Sequence, residues 1–404
     1  MFHGNEVRIS LIVENYLLLG LRIGRHIDGF VDAYYGPATF SDRVQKESLR
    51  SPAELEKEAK ELLTQLDNAE DAAELSPERR RWLRAQAIGL LTTCQKLSGA
   101  NIEYRQEVER CYGVMPTWRD EEVFASAHRL LDEVLPGDGD LRERMILWKE
   151  EQAVEREKLS SIVQSIAEDF RSRTQSMFGL PDGEHINWEF ATNQPWSGFN
   201  YYEGNLQSRV AINIDLPVLA TSLGHLIAHE AYPGHHTEHT RKEVGLVRKN
   251  NWMEESIFCV GTPQCLLAEG LADLGLEILL GTGVSSDHVV SEHLQSYGVA
   301  YDADMAANVR QASGAIDAVR ANAAWMLHQD GRPAAEVVPY LMKWGLMNSA
   351  RAEKAVEFLT SPVWGTYISC YVEGFPLCRS YVNGEPEKFR RLLTDQLVPA
   401  DLAA

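Results

Sequence analysis

The sequence predicts a mainly α-helical protein, a large helical single body that carries one small antiparallel β-sheet. Three observations predict it. Helix-start signals of one kind recur: Ser51-Pro52, Ser76-Pro77, Thr262-Pro263 and Ser361-Pro362 each put a hydroxyl cap before a proline at the first helical position. The stretch from 140 to 177 holds no proline or glycine and is dense in Glu, Lys, Arg and Gln. Only the region 185–215 is rich in aromatic and β-branched residues, with Pro195, Gly198 and Gly204 as punctuation.

In chain order, residues 11–23 are apolar but interrupted by Glu14, Asn15 and Arg22. They read as a buried helix, short of the roughly 18 apolar residues that a membrane span needs and without the layout of a cleavable signal. Residues 140–177 are expected to form one long, largely solvent-facing helix, with room for a break. The segments INWEF, FNYYEG and RVAINI are expected to pair as the sheet or as two hairpins. Leu216, Leu219, Leu223, Leu226 and Ile227 then follow helical spacing and define a buried stripe. Residues 1–180 read as a helical frame without chemistry, and residues 181–404 as the half that holds it. No Gly/Ser/Pro-rich linker divides them, so the two halves are expected to share one body.

Composition bounds the function. Of 404 residues, 44% are hydrophobic and 24% charged, which excludes a disordered or low-complexity chain. Against 59 acids stand 39 bases, a formal net charge of −20, so neither nucleic acid nor an anionic membrane is an expected partner. The six cysteines are scattered and form no CxxC pair, as expected of reduced thiols in a cytoplasmic protein.

Five of the twelve histidines (His225, His229, His235, His236 and His239) fall within 225–239, in the run HLIAHEAYPGHHTEH. The buried stripe, continued from Leu226 by three and four residues, lands on His229 and Glu230. A carboxylate driven towards a core is costly unless it is paired or bound to a cation. A zinc ion satisfies both groups. In the H-E-x-x-H arrangement, two histidines one helical turn apart bind the metal and the glutamate between them acts as general base. Here the second histidine is displaced, because Pro233-Gly234 stands between Tyr232 and His235. On a regular helix, positions i and i+6 point about 240° apart. Proline cannot donate its backbone nitrogen and glycine tolerates broken helical angles, so a two-residue bulge would restore the i, i+4 relation of His229 and His235. His236 is the competitor for the second ligand, and His225 and His239 read as supporting or surface groups. A histidine-rich helix end also arises without any metal, since cations are favoured there.

A catalytic zinc usually takes three protein ligands and leaves a place for water. The third is expected in TPQCLLAEGLADLGLEILL, a segment apolar on almost every side with Glu269 in its middle. Gly270 permits close helix approach, and Asp273, one turn on, is placed to orient a ligand histidine. Glu254 and Glu255 are the alternatives, in a less apolar setting, and an arginine-paired Glu269 is the reading without a metal.

The pattern His229-Glu230-x-x-Pro233-Gly234-His235-His236, followed by Glu269-Gly270-Leu271-Ala272, resembles the bacterial family termed domain of unknown function 885. Its members look like zinc-dependent peptidases similar in fold to the carboxypeptidase Taq type. The run Gly29 to Pro37 (GFVDAYYGP) and Asn213-Ile214-Asp215-Leu216-Pro217 also resemble that family's layout. The resemblance implies a helical zinc-peptidase body with the small sheet beside the metal site, one zinc ion per chain held by His229, His235 and Glu269, and a peptide or other small amide as substrate. It implies Glu230 as general base. For stabilising an oxyanion the C-terminal half offers Arg320, His328, Tyr367 and Tyr371, of which Arg320, His328 and Tyr371 resemble residues of the family's pattern. The family often carries an aspartate four residues before the histidine, where this chain has Ala324. His328 also reads as a helix C-terminal cap before Asp330-Gly331, and both tyrosines as core aromatics. Tyr201 and Tyr202, on the expected sheet, stand where an extended peptide could add to a strand edge. The expected function is a zinc-dependent carboxypeptidase or oligopeptidase. The alternative is a non-catalytic metal-binding or scaffold protein of the same fold.

Overall fold

The helix-start signals are read out locally. In a computed structural model, which describes residues 9–403 apart from 69, 71, 195 and 282, Ser51 and Glu54 exchange side-chain and backbone hydrogen bonds in a reciprocal cap at the head of the helix Pro52–Asp67. Ser76 caps Pro77–Leu97 by accepting from the Arg79 amide. Thr262 precedes Pro263–Leu280, but its hydroxyl donates to the Cys259 carbonyl at 2.8 Å instead. Ser361 departs from the expectation. It ends the helix Ser349–Thr360, its Oγ accepts from the Val363 amide in a turn, and the next helix runs Ile368–Val382.

The 140–177 stretch is two helices, Leu141–Glu151 and Arg156–Phe178. They part at Val154, whose amide donates to the Val218 carbonyl at 2.9 Å. The second is amphipathic rather than largely solvent-facing. It buries Leu159, Ile162, Val163, Ile166 and Phe170 with Leu223 and Ile227 of the helix Ala220–Glu230.

The fold is mainly α, as the sequence predicts. Among the described residues five short strands interrupt it: β1 (Val31–Tyr34), β2 (His185–Ala191), β3 (Gly198–Gly204), β4 (Gln207–Asn213) and β5 (Ile257–Cys259). The expected antiparallel hairpin is β3–β4, and β2 joins the far side of β4 in parallel, giving the order β2-β4-β3. Pro195, expected to punctuate this sheet, lies outside the described residues. A separate antiparallel pair, β1–β5, joins the two halves of the sequence. One core cluster likewise mixes Ile12, Leu17, Leu55 and Trp82 with Val247, Ile257, Cys259 and Val398, so the chain is a single body. No described helix is long and apolar enough to cross a membrane.

Candidate metal centre

The helix Ala220–Glu230 carries His229 and Glu230 at its last turn, and a second helix starts at His235. Between them the ladder skips: the Gly234 amide donates to the Ala228 carbonyl at 2.9 Å, and the Thr237 amide to Ala231, six residues back. Gly234 is required there, because a Cβ would lie 1.9 Å from the His229 carbonyl oxygen. The outcome is the bulge read from the sequence. The Nε2 atoms of His229 and His235 lie 3.1 Å apart.

Glu269, from the middle of Pro263–Leu280, completes a triad. Its Oε2 is 3.1 Å from His229 Nε2, and its Oε1 is 3.7 Å from His235 Nε2. Tetrahedral ligands about 2.0–2.1 Å from a zinc ion stand about 3.3–3.4 Å from one another; the two 3.1 Å spacings about His229 Nε2 are close to that, and the Glu269 carboxylate stands farther from His235, 3.7 Å at its nearer oxygen. The chemistry fits too, with two imidazole nitrogens and one carboxylate oxygen. Glu269 Oε2 is moreover buried without a hydrogen-bond donor, an orphan that a cation would satisfy. A second grouping of His225, His229 and Asp273 uses the opposite nitrogen of His229, and His225 is exposed.

Neighbouring groups hold each ligand. Asp273 Oδ1 lies 2.8 Å from His229 Nδ1 and orients the ring so that its Nε2 faces Glu269 and His235. Tyr367 donates to Glu269 Oε1 at 2.6 Å from the helix that follows it. That helix packs backbone to backbone on Pro263–Leu280: a Cβ on Gly270 would lie 2.5 Å from the Gly374 carbonyl oxygen.

His236 faces the other way and is fully buried. Its Nδ1 lies 2.7 Å from Ser208 Oγ on β4, and its Nε2 lies 2.8 Å from Glu184. Tyr232 and Arg171 also donate to Glu184. Burial alone would raise the Glu184 carboxyl; the bonds from His236, Tyr232 and Arg171 outweigh it and bring the group to about 2. His239 is buried as well, stacked on Tyr202 at 4.8 Å between centroids.

Glu230 is next to the triad with its carboxylate against Gly198, the first residue of β3. Burial raises its pKa, and the nearby histidines only partly offset this. Asn200 of β3 donates to the Glu230 carbonyl at 2.6 Å and fixes the backbone beneath it. Tyr371, one turn beyond Tyr367, lies over the His229 ring with centroids 6.4 Å apart. Burial, then Glu269, then Glu230 push its hydroxyl well up, so it is a proton donor at neutral pH.

Arg320 and His328 are not brought to the centre, which corrects the expectation for both. Arg320 is exposed, and its charge acts on Lys149 and Arg351. His328 ends the helix Val319–His328, bonds the Leu359 carbonyl at 2.7 Å and stacks on Tyr104. It packs a helix end, as a capping histidine does. Tyr367 is at the centre but is spent on Glu269. Glu254 and Glu255 are elsewhere in the core: Glu254 takes a bidentate pair from Arg79 at 2.5 and 2.7 Å, and Glu255 bonds Gln264. Tyr202 is buried and bonds Glu243, and Tyr201 lies under Arg209.

With this geometry in hand, known proteins add the fold and little else. A solved structure titled "putative lipoprotein from Colwellia psychrerythraea" superimposes with a TM-score of 0.52 at 15% identity, covering 98% of this chain and 76% of that one. A second, titled "putative lipoprotein of unknown function from Shewanella oneidensis", reaches a TM-score of 0.44 at 14% identity over 94% of this chain and 73% of that one. No family model matches the chain, and no curated protein matches it.

Sequence reasoning missed Glu184 and Asn200. Neither carries a local signal: Glu184 precedes a strand like any turn acid, and its role exists only because β2 and β4 bring it under His236.

Proposed function

We propose that the chain is a zinc-dependent peptidase, with His229, His235 and Glu269 holding the metal and Glu230 as general base. The observation that carries this reading is the convergence of three donors with a carboxylate unclaimed by any ligand position beside them. Three ligands rather than four favour a catalytic over a closed structural site. What zinc supplies when bound is Lewis acidity, towards a carbonyl oxygen and towards water.

The protein's own groups do the rest. Glu230 takes a proton from water as the water oxygen bonds to the peptide carbonyl carbon. It passes that proton to the amine nitrogen as the C–N bond breaks. Its raised pKa suits both directions of transfer. Tyr371 donates towards the carbonyl oxygen as negative charge grows on it. Asp273 and Tyr367 keep His229 and Glu269 aimed. The test is metal analysis of the purified protein, with peptide-library cleavage before and after chelation. Glu230→Gln should keep its zinc and lose about 10²–10⁴ in kcat. Wild-type turnover in the metallated variant would remove Glu230 from the mechanism, and a metal-free protein that cleaves peptides would end the reading.

A further inference from the structure

The three side chains of the triad are not held alike. His229 has Asp273 at its second ring nitrogen, and Glu269 has Tyr367 on one carboxylate oxygen. His235 meets the triad through Nε2, and among the described residues nothing bonds its Nδ1. A metal-bound histidine usually has its other nitrogen fixed by such a partner. The aim of His235 is therefore set through its backbone.

Its neighbours in sequence do this. Glu184 Oε2 accepts from the Tyr232 hydroxyl at 2.8 Å and lies 2.8 Å from His236 Nε2. Tyr232 and His236 flank Pro233-Gly234-His235, so one carboxylate oxygen ties the two ends of the bulge together. The other oxygen takes two contacts from Arg171 of the helix Arg156–Phe178, at 2.5 and 2.6 Å. β4 braces the far side of His236, with Ser208 Oγ 2.7 Å from its Nδ1. Ser208, His236 and Glu184 are the residue types of a hydrolytic triad, but Ser208 is 2% exposed and His236 fully buried, so no substrate reaches them. Burying a charged carboxylate is costly where apolar packing could hold the chain. What the carboxylate supplies instead is fixed geometry, because hydrogen bonds to one oxygen tolerate little change in distance or direction.

We infer that Glu184 is a positioning residue for the metal: by clamping Tyr232 to His236 it sets the spacing of His229 and His235, and with it the affinity for zinc. This rests on the metal-centre part of the proposed function and is independent of the reaction catalysed there.

The test uses the full chain. Zinc affinity is measured by competition with a chromophoric chelator, and coordination geometry is read from the visible spectrum of the cobalt-loaded protein. Glu184→Gln keeps the size but replaces one acceptor oxygen by a donor, and should weaken zinc by about 10–100-fold and alter the cobalt spectrum. Tyr232→Phe removes one arm of the clamp and should act in the same direction. In the double variant the tyrosine change should add nothing, since its hydroxyl works only through that carboxylate. Glu254→Gln is the control for lost stability alone, because that buried carboxylate bonds Arg79 and Gln396 and nothing at the centre. It should lower the urea midpoint and leave zinc affinity and spectrum unchanged. Wild-type affinity and spectrum in Glu184→Gln and Tyr232→Phe overturn the inference, and Tyr232→Phe alone decides if the glutamine variant does not fold. Zinc loss in Glu254→Gln that matches Glu184→Gln at equal destabilisation also overturns it. If the wild-type protein binds neither ion, the metal reading fails separately. Metal-free crystal structures then decide on Glu184: Nε2 atoms of His229 and His235 still 3.1 Å apart in Glu184→Gln count against the clamp, and a wider spacing supports it.

Discussion

Gly234 stands with the place of its absent Cβ 1.9 Å from the carbonyl oxygen of His229. That approach folds six residues of sequence into a 3.1 Å separation of two imidazole nitrogens. Gly234→Ala should therefore cost about 3 kcal/mol or more in unfolding free energy and abolish stoichiometric zinc, measured by denaturant titration and metal analysis. A variant with wild-type Tm and full zinc would show that the bulge relaxes freely.

Neighbouring histidines should separate cleanly. Alanine at His229, His235 or Glu269 should strip zinc from the protein. His236→Ala should keep it at saturating metal but lose about 2–3 kcal/mol of stability, because Glu184 stays buried with one partner fewer. Zinc loss in His236→Ala without a loss of stability would reverse the two roles.

The two tyrosines of the last site helix should give different signatures. Tyr367→Phe removes a donor to a ligand and should weaken zinc binding by about 10–100-fold. Tyr371→Phe should bind zinc normally and lose about 10²–10³ in kcat with little change in KM. Equal effects on metal affinity would merge the roles.

Glu255 sets a pH dependence. Its carboxyl is buried, with Oε1 lacking a donor, and burial pushes it up to about 7. The folded state then holds a proton that the unfolded state has released above about 4.5, so stability should fall as pH rises from about 4.5 to 7. Glu255→Gln should flatten that slope and stabilise the protein above pH 7, as read from urea midpoints across pH. A slope unchanged by the substitution would place the titration elsewhere.

Much of the site could be read locally because its signals are local. The His229-to-His236 run encodes its own bulge, and Glu269 is conspicuous as an acid in an apolar helix. Proline after serine marked two true helix starts, while at Ser361 the same dipeptide made a turn, since the dipeptide fixes only the φ of its proline. What escaped depends on pairing between distant segments. β1 is four residues long and finds β5 more than two hundred residues away, and β2 could have joined either side of its hairpin. Arg320 and His328 were credited through resemblance, and the exposure of the one and the stacking of the other on Tyr104 could not be read from spacing.

The Gly270–Gly374 contact has a mechanical consequence. At that point the two helices touch through bare backbone, with the Cys378 Sγ packed beside the contact, so there is no room for one to slide along the other. Glu269, Tyr367 and Tyr371 therefore travel as one rigid jaw.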